Sequence, residues 1–512
     1  MNSHFIYHVL GTTMIIGLLS MDRSLNAQAA TPSADITYEI FVQSFCDTNK
    51  DGKGDLKGVI SKLDYLQTLG ATAIWLMPIH PSPSYHKYDV IDYYAIHPDY
   101  GTMADMDHLI SEAHKRKMKI ILDLVINHTS NQHPWFIASS APDSNEFRNY
   151  YVWKDFETVK DEINKKTTTF DSDNITQWHE SKTQKDRYYG FFSGRMPDLN
   201  FDYPPVREAI YKIGKFWLDK GVDGFRMDAA KHIYPDDRLE DTRKFWVEFT
   251  SKMRKINPKV KIIGEVWSDP KTVSSLFTGL PSMFNFELTK MIPDGIKSQD
   301  AMKFITPYRE MDSIYKASGV PFEDATLLSN HDMNRIRTTL EGDINASKLA
   351  AAILLTLPGS PYLYYGEEIG MLGMKPDNYI REPFLWSKTS LEDTTWLKPK
   401  YSVPPAVTPL DEQLTDSKSI YTFYQTWLKY RSTHSALSNG SIEFVFPEFP
   451  NILAFVRGNK SERIMVIHNL ADKAVEIKMM DPYTILAPGP SQLDEHRLLM
   501  PRYGSTLLKI GK

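Results

Sequence analysis

The chain has 512 residues, with 59 Lys and Arg against 64 Asp and Glu and a formal net charge of −5. That length exceeds what one simple core accommodates, so two or three domains are expected, and the mildly acidic balance removes any electrostatic basis for nucleic-acid binding. A hydrophobic fraction of 42% and a charged fraction of 24% are ordinary for a globular enzyme. The single cysteine, Cys46, excludes an intrachain disulfide framework and offers no zinc-ligand spacing.

The N-terminus has the pattern of a secretory signal peptide, assigned to residues 1–29. Val9 to Met21 is an apolar run, and Ala27-Gln28-Ala29 before Ala30 is an A-x-A cleavage pattern, although no Lys or Arg precedes the run. The run is shorter than the ~20 residues a membrane span needs, and no other stretch is long and apolar enough. A secreted or periplasmic protein without a stable membrane span is the expectation, and a monomer is expected.

From Ile36 onward, strand-like and helix-like segments alternate, which predicts an α/β fold with parallel strands. The strand candidates are Ile36–Val42, Ala73–Leu76, Lys119–Ile126, Gly221–Asp228, Val260–Val266, Met283–Leu288, Ala325–Ser329 and Tyr362–Tyr365. Between the first two, Asp55 to Leu69 carries Leu56, Val59, Ile60, Leu63 and Leu66 on one helical stripe. Eight such units suggest a (β/α)8 barrel, whose catalytic groups sit at the C-terminal ends of the strands.

Residues 129–200 interrupt this pattern between the third and fourth strands. The stretch is polar with scattered aromatics (Trp135, Trp153, Trp178) and is too long for a structureless loop, so it predicts a small inserted domain. Residues 30–128 and 201–433 then form the two parts of the barrel. Beyond them, short strands such as Ile452–Val456 and Ile464–Ile467 predict a β-sandwich over 434–512.

Chemistry concentrates at the strand ends. On the fourth strand, Arg226 and Asp228 point the same way, and a guanidinium two positions from a carboxylate favours the charged form. Asp228 then reads as an ionised nucleophile; a structural ion pair is the plainer alternative. The third strand ends Asp123-Leu124-Val125-Ile126-Asn127-His128, with Asp123, Val125 and Asn127 expected on one side. The fifth carries Glu265, and the seventh ends Ser329-Asn330-His331-Asp332. Four acids on four strands would converge on one rim. A lone buried carboxylate is expensive, so a cluster argues for a site, and a retaining glycosidase needs such a cluster. Earlier, Asp47, Asn49, Asp51 and Asp55 alternate through a glycine-containing loop that suits a hard cation or, equally, a solvated Asx-rich turn; Gly58 at the twelfth position excludes an EF-hand.

These blocks, in this order, resemble the α-amylase family of glycoside hydrolases across essentially all of the mature chain. They are Asp123–His128, Gly224–His232, Gly264–Trp267 and Asn330–Asp332, with Met196-Pro197-Asp198-Leu199-Asn200 near the end of the insert. The resemblance implies the (β/α)8 barrel, the insert after the third strand and the C-terminal β-sandwich. It implies Asp228 as nucleophile, Glu265 as acid/base with a pKa raised by its neighbouring carboxylates, and Asp332 as the third carboxylate holding sugar hydroxyls. Tyr88, His128 and His331 would contact the sugar before the cut, Asp89 a terminal glucose, and Lys231 and His232 the subsites beyond the cut. A salt bridge and a capping role are the plainer readings of that last pair.

The resemblance also implies structural calcium, held by Asp47, Asn49, Asp51, Asp55 and the carbonyl of Lys53. A second calcium would use Asn127 and the carbonyl of His232. The expected activity is α-1,4 cleavage of starch or maltodextrins, with an α-glucan as the only partner. The alternatives are an exo-acting α-glucosidase or oligo-1,6-glucosidase, a neopullulanase-like or transglycosylating member, or a non-catalytic glycan-binding member. The presence of Arg226 and all three catalytic carboxylates weighs against the last.

Overall fold

The computed structural model describes residues 35–143, 145–166, 174–445, 449–479, 483–487, 491–494 and 496–509, and the backbone of 13–16. Eight parallel strands close into a barrel: β1 (Thr37–Ile40), β2 (Ala73–Leu76), β3 (Lys119–Leu124), β4 (Gly224–Met227), β5 (Lys261–Gly264), β6 (Ser282–Asn285), β7 (Glu323–Leu327) and β8 (Ser360–Tyr364). Each pairs with the next in chain order, and β8 returns to β1.

Alternation along the strands separates two environments. Trp75, Ile121, Ile263, Phe284, Leu327 and Tyr362 fill the barrel interior, while Ile74, Leu76, Ile120, Leu122 and Leu124 join the core shared with the surrounding helices. In register, Glu39 lies beside Trp75, and Asp123 beside Arg226. The barrel's apolar filling therefore gives way to charge towards the strand ends.

The strands are shorter than the sequence suggests, and two local expectations change. The stripe from Asp55 to Leu69 forms two helices, Leu56–Ser61 and Leu63–Leu69, because Lys62 leaves helical geometry at φ −105°, ψ 7°. Asp55 stays outside and caps the first, accepting from Gly58 N at 2.7 Å. On β3 the alternation stops at Leu124: Asp123 faces inward, but Val125 packs into the outer core. Asp123, Val125 and Asn127 do not share a side.

Residues 129–200 carry helices Pro134–Ser139 and Phe156–Lys165 and a small antiparallel sheet of Trp153–Lys154, Arg187–Tyr189 and Trp178–Glu180. Helix Ile420–Thr433 precedes the C-terminal sheets. One of these contains Ser441–Val445, Ile452–Gly458, Arg463–Asn469, Ser505–Lys509 and Thr484–Ile485; the other pairs Val475–Met479, Arg497–Met500 and Ser491–Asp494. Both faces of the first sheet are buried. Leu453, Phe455 and Val466 pack on the barrel side, whereas Ile452, Ala454 and Met465 meet Ile477 and Leu498 of the second sheet.

The proposed signal segment lies outside the described residues, apart from Thr13–Ile16, whose backbone runs parallel beside Val475–Met479. Among the described residues, no helix is long and apolar enough to cross a membrane.

Candidate active site

The site is assembled around Arg226. On β4, Gly224 lets the backbone pass close to β5, since a Cβ there would meet Lys261 O at 2.3 Å. Two residues further along the strand, on the same side, the Arg226 side chain is buried at the strand ends. Its Nη1 pairs with Asp228 Oδ1 at 2.6 Å and Asp123 Oδ1 at 2.8 Å, and its Nη2 with Glu265 Oε1 at 2.7 Å. Its guanidinium carbon lies 5.3 Å from the ring centre of Trp75 and 5.6 Å from that of Tyr88. Three acids from three strands thus share one fixed cation.

Burial dominates the protonation of this group. It pushes Asp228 above the ordinary aspartate range, with Arg226 acting against it. The sequence-based expectation of a low Asp228 pKa weighed Arg226 alone and omitted desolvation. Burial likewise raises Glu265; Arg226 opposes it, while Asp228 and Asp332 add to it. The expected direction for Glu265 holds, with burial rather than like charge as the larger cause. Asp123 is pushed up to about 7 by burial.

Glu265 is tightly held. Ala229 N donates to its Oε2 at 3.0 Å, and Trp267 Nε1 donates to its Oε1 at 3.1 Å. Trp267 in turn stacks on Phe286, ring centres 3.6 Å apart.

Asp332 occupies the opposite wall. Its Oδ2 is 3.0 Å from His331 Nε2 and its Oδ1 is 2.8 Å from Arg381 Nη2. Burial would raise Asp332, but His331 and Arg381 outweigh it and hold the carboxyl far below the usual range. Burial would lower His331, but Asp332 and Glu39 overcome it and push the imidazole up to about 10. Tyr88 Oη lies 2.6 Å from His331 Nε2 and donates to Asp123 Oδ2 at 2.9 Å.

A cleft of about 870 Å³ opens over these groups. Asp228, Glu265, Asp332, Tyr88, His128, Lys231 and His232 line it, whereas Arg226 and His331, expected to contact the sugar, are buried behind it. His128 lies between Tyr88 O, 3.1 Å from its Nε2, and Asn127 Oδ1, 3.0 Å from its Nδ1, and burial lowers its pKa to about 4. The neutral ring has one N–H, so it donates to only one of these two oxygens. Lys231 reaches Asp236 at 3.5 Å, and His232 stacks on Phe191 at 4.2 Å. Asp89 does not line the cleft. It is buried and accepts from Ser82 Oγ at 2.6 Å and from Ser84 Oγ, and His86 faces the cleft instead.

The two expected calcium sites differ. The loop of Asp47, Asn49, Asp51, Lys53 and Asp55 offers only hard oxygen donors, which suit calcium. Its residues fold inward through their own amides: Asp47 accepts from Lys50 N and Gly52 N at 2.7 Å each, and Asp51 accepts from Lys53 N at 2.8 Å. Asp55 is committed to Thr48 N at 2.9 Å and to Gly58 N. Among the described residues, no three His, Cys, Asp or Glu side chains gather to hold a metal. At the second position, Asn127 Nδ2 donates directly to His232 O at 2.6 Å, and Asn127 also bonds Asp198. These groups do not fit a cation between them, because the amide already joins the carbonyl to the carboxylate.

The sequence assigns no site role to Glu39 or Arg381, and it places Trp267 in the Gly264–Trp267 block without a role. Glu39 and Asp123 carry a weak signal, being charged residues inside otherwise apolar strands. Arg381 lies in the long stretch after β8, where nothing in the local pattern marks it.

The family model "Alpha amylase, catalytic domain" matches residues 39–440. "Alpha-amylase 3" of Dictyoglomus thermophilum is 44% identical over 93% of this chain and 93% of its own length. A 4-alpha-glucanotransferase of Thermotoga neapolitana is 35% identical, covering 85% of this chain and 96% of its own length. The crystal structure of an α-amylase from H. orenii superposes with a TM-score of 0.87 at 38% identity, over 94% of this chain and 100% of that one. With its closed parallel barrel and this charged rim, the chain belongs to the α-amylase family of glycoside hydrolases.

Proposed function

We propose that this protein is a retaining hydrolase that cuts α-1,4-glucosidic bonds in starch-like polymers or maltodextrins. The observation that supports this most is that one guanidinium, Arg226, holds both Asp228 and Glu265, at 2.6 and 2.7 Å. Retaining glycosidases keep their two carboxyl groups only ~5–5.5 Å apart. A single guanidinium spanning both enforces such proximity.

In this reading an Asp228 oxygen attacks the anomeric carbon while Glu265 gives its proton to the departing glycosidic oxygen. The Glu265 carboxylate then takes a proton from water, whose oxygen attacks the same carbon and releases Asp228. Burial favours the protonated form of Glu265 for the first step, and Arg226 stabilises Asp228 as the departing carboxylate in the second. Asp332, held ionised, faces the sugar hydroxyls and the positive charge that develops on the ring.

A second reading has a sugar hydroxyl in place of water. Phe192, Trp267 and Met333 add apolar surface to the cleft, which suits a sugar acceptor, and the relative named as a glucanotransferase is 35% identical. The test is a product time course on amylose, on panose and on concentrated maltotetraose, with Glu265→Gln as control. A spread of shorter oligosaccharides from amylose and slow panose cleavage support the hydrolase. Glucose alone, or rapid panose cleavage, would make it an exo-acting glucosidase instead. Products longer than maltotetraose would favour the transferase.

Export and calcium belong to the same reading. The apolar run and the Ala27-Gln28-Ala29 motif support cleavage before Ala30, which mass analysis of the mature N-terminus tests. Calcium at the Asp47–Asp55 loop would supply no chemistry, only rigidity.

A further inference from the structure

The His331 imidazole is held at both nitrogens. Nδ1 lies 2.5 Å from Glu39 Oε1, while Nε2 lies 2.6 Å from Tyr88 Oη and 3.0 Å from Asp332 Oδ2. His331 and Glu39 are both almost completely buried. A neutral imidazole has one N–H. With that proton on Nδ1, satisfying Glu39, the Nε2 lone pair would face the Asp332 carboxylate across 3.0 Å. Only the imidazolium donates to both carboxylates. The phenol then remains free to donate to Asp123, which it does at 2.9 Å.

Charge at the rim agrees. Five acids, Glu39, Asp123, Asp228, Glu265 and Asp332, face two guanidiniums, Arg226 and Arg381. The two guanidiniums balance an ionised Asp228 and an ionised Asp332, and an ionised Glu39 beside them calls for a third cation. His331 is the group in contact with two of the acids.

We propose that Glu39 is a positioning residue that fixes His331 as a doubly donating imidazolium, so that Nε2–H is aimed at Asp332, the carboxylate that lines the cleft. Glu39 does not itself line the cleft, and neither does His331. It acts from the floor of the barrel, on β1, through a ring contributed by the segment after β7. Burial pushes the Glu39 carboxyl up and acts to push His331 down, and each charge offsets that effect on the other. The other charged groups facing the pair are Arg226, Asp123, Asp228 and Asp332, with the Arg381 Nε–H donating to the His331 carbonyl at 2.9 Å.

Glu39→Gln tests the charge at nearly constant shape, because a Gln oxygen can still accept from Nδ1–H. An opposite charge at such range shifts a pKa by roughly one to three units. Histidine labelled with ¹⁵N in the intact chain, with His331 assigned by loss of its signal in His331→Gln, should show both ring nitrogens protonated from pH 5 to 8.5. In Glu39→Gln the ring should lose a proton inside that window. On amylose, kcat should fall roughly tenfold or more between pH 6 and pH 8 relative to the unsubstituted protein, with KM moving far less.

The activity arm rests on the retaining reading above, but the resonance arm does not. A neutral His331 in the unsubstituted protein at pH 7 overturns the proposal without any variant. So does a Glu39→Gln protein whose His331 titration and pH profile are unchanged. Failure of the hydrolase reading would leave the His331 signal as expected and alter only the product analysis.

Discussion

The backbone N–H of Ala229, the residue directly after Asp228, donates to Oε2 of Glu265 at 3.0 Å. The next amide, Ala230 N, donates to the Glu265 carbonyl, also at 3.0 Å. To make this turn Ala229 adopts φ 46°, ψ 41°, the left-handed region that an alanine enters at a cost of about 1 kcal/mol. The strain lies between the proposed nucleophile and the proposed acid/base, and it sets their spacing. Ala229→Gly should relieve it, giving equal or up to about 1 kcal/mol greater stability, while a looser turn lowers kcat several-fold. Ala229→Val should cost about 2 kcal/mol or more, because a branched side chain fits poorly at positive φ. Thermal denaturation and steady-state kinetics on the same samples decide this. A glycine variant with full activity and no gain in stability would remove the turn from the account.

Glu265→Gln removes the transferable proton and can keep the oxygen that accepts from Arg226 and Trp267, while an NH2 group replaces the oxygen that accepts from Ala229 N. Loss of a general acid typically costs 10²- to 10⁴-fold. That loss should appear with amylose, whose leaving oxygen needs a proton, and shrink sharply with α-glucosyl fluoride, whose leaving group does not. Because burial raises Asp228, the acidic limb of kcat/KM should lie above the ordinary aspartate range, and Glu265 should set the alkaline limb. Both limbs belong to the cluster rather than to single residues. Equal losses on the two substrates would take the acid role away from Glu265.

How much of this site could be read from the sequence depends on distance along the chain. Asp228, Glu265 and Asp332 were legible because each closes a short apolar strand, and the repetition of that pattern marks a barrel rim. Arg226 was legible because period-two alternation puts it on the same side as Asp228. Tyr88 and Asp89 are adjacent in a loop where no alternation holds, so the sequence placed both in the cleft, whereas only the tyrosine reaches it. The upward shift of Asp228 follows from enclosure by all eight strands, which no local pattern reports. The Glu39–His331 contact spans 292 residues and exists only because the barrel closes, with β8 returning to β1.

The Asp47–Asp55 loop, proposed above to hold calcium, is linked by contacts to the cleft. Gly52 O accepts from Thr395 N at 2.8 Å and Trp396 N at 2.9 Å, and Trp396 stacks on Tyr85 with ring centres 5.3 Å apart. Arg381 Nη1 donates to Tyr85 Oη at 3.3 Å and Nη2 holds Asp332. Chelation should therefore lower the unfolding temperature and raise KM more than it lowers kcat, with added calcium restoring both. Asp51→Ala, at an exposed position in the loop, should abolish the response to calcium while keeping the fold. A melting temperature indifferent to chelator and to calcium would show that the loop is closed by its own amides alone.

Glu367 and Glu368 form a buried acidic pair behind the site. Glu367 accepts from Tyr424 Oη at 2.8 Å, and Glu368 from Tyr38 Oη at 2.7 Å. Burial pushes Glu367 up to about 8. A carboxyl raised above its unfolded value of about 4.3 favours the folded state below that value and loses this contribution as pH rises through about 8. Stability should accordingly decline between pH 5 and pH 8.5. Glu367→Gln should flatten that decline, recovering on the order of 2–4 kcal/mol at pH 8.5, as read from denaturant unfolding at several pH values. A variant with the same pH slope as the unsubstituted protein would mean that Glu367 stays paired and charged throughout.

Two buried arginines, one of which joins the barrel to the C-terminal sheets, have no carboxylate partner among the described residues. Arg431 Nη1 donates to the carbonyls of Leu355 and Leu357 at 2.8 Å each, and Arg457 Nη1 donates to that of Thr356. These carbonyls close helix Ile344–Thr356, whose C-terminal dipole favours a cation. Arg457 also ties in the next domain, donating to Ser441 O at 3.1 Å and to Gly440 O at 2.8 Å. Burial lowers both guanidiniums, Arg431 to about 10 and Arg457 to about 9, and their mutual repulsion adds to the effect on Arg457. Removing Arg457 therefore relieves one buried charge but strands three carbonyls. Since an unsatisfied buried acceptor costs about 1–3 kcal/mol, Arg457→Met should destabilise the protein by about 3 kcal/mol, with kcat on amylose unchanged at temperatures where it stays folded. If the two domains then melt in separate steps, Arg457 is what makes their unfolding cooperative. If the single transition persists at the original temperature, the apolar contacts of Leu453 and Phe455 carry the interface alone.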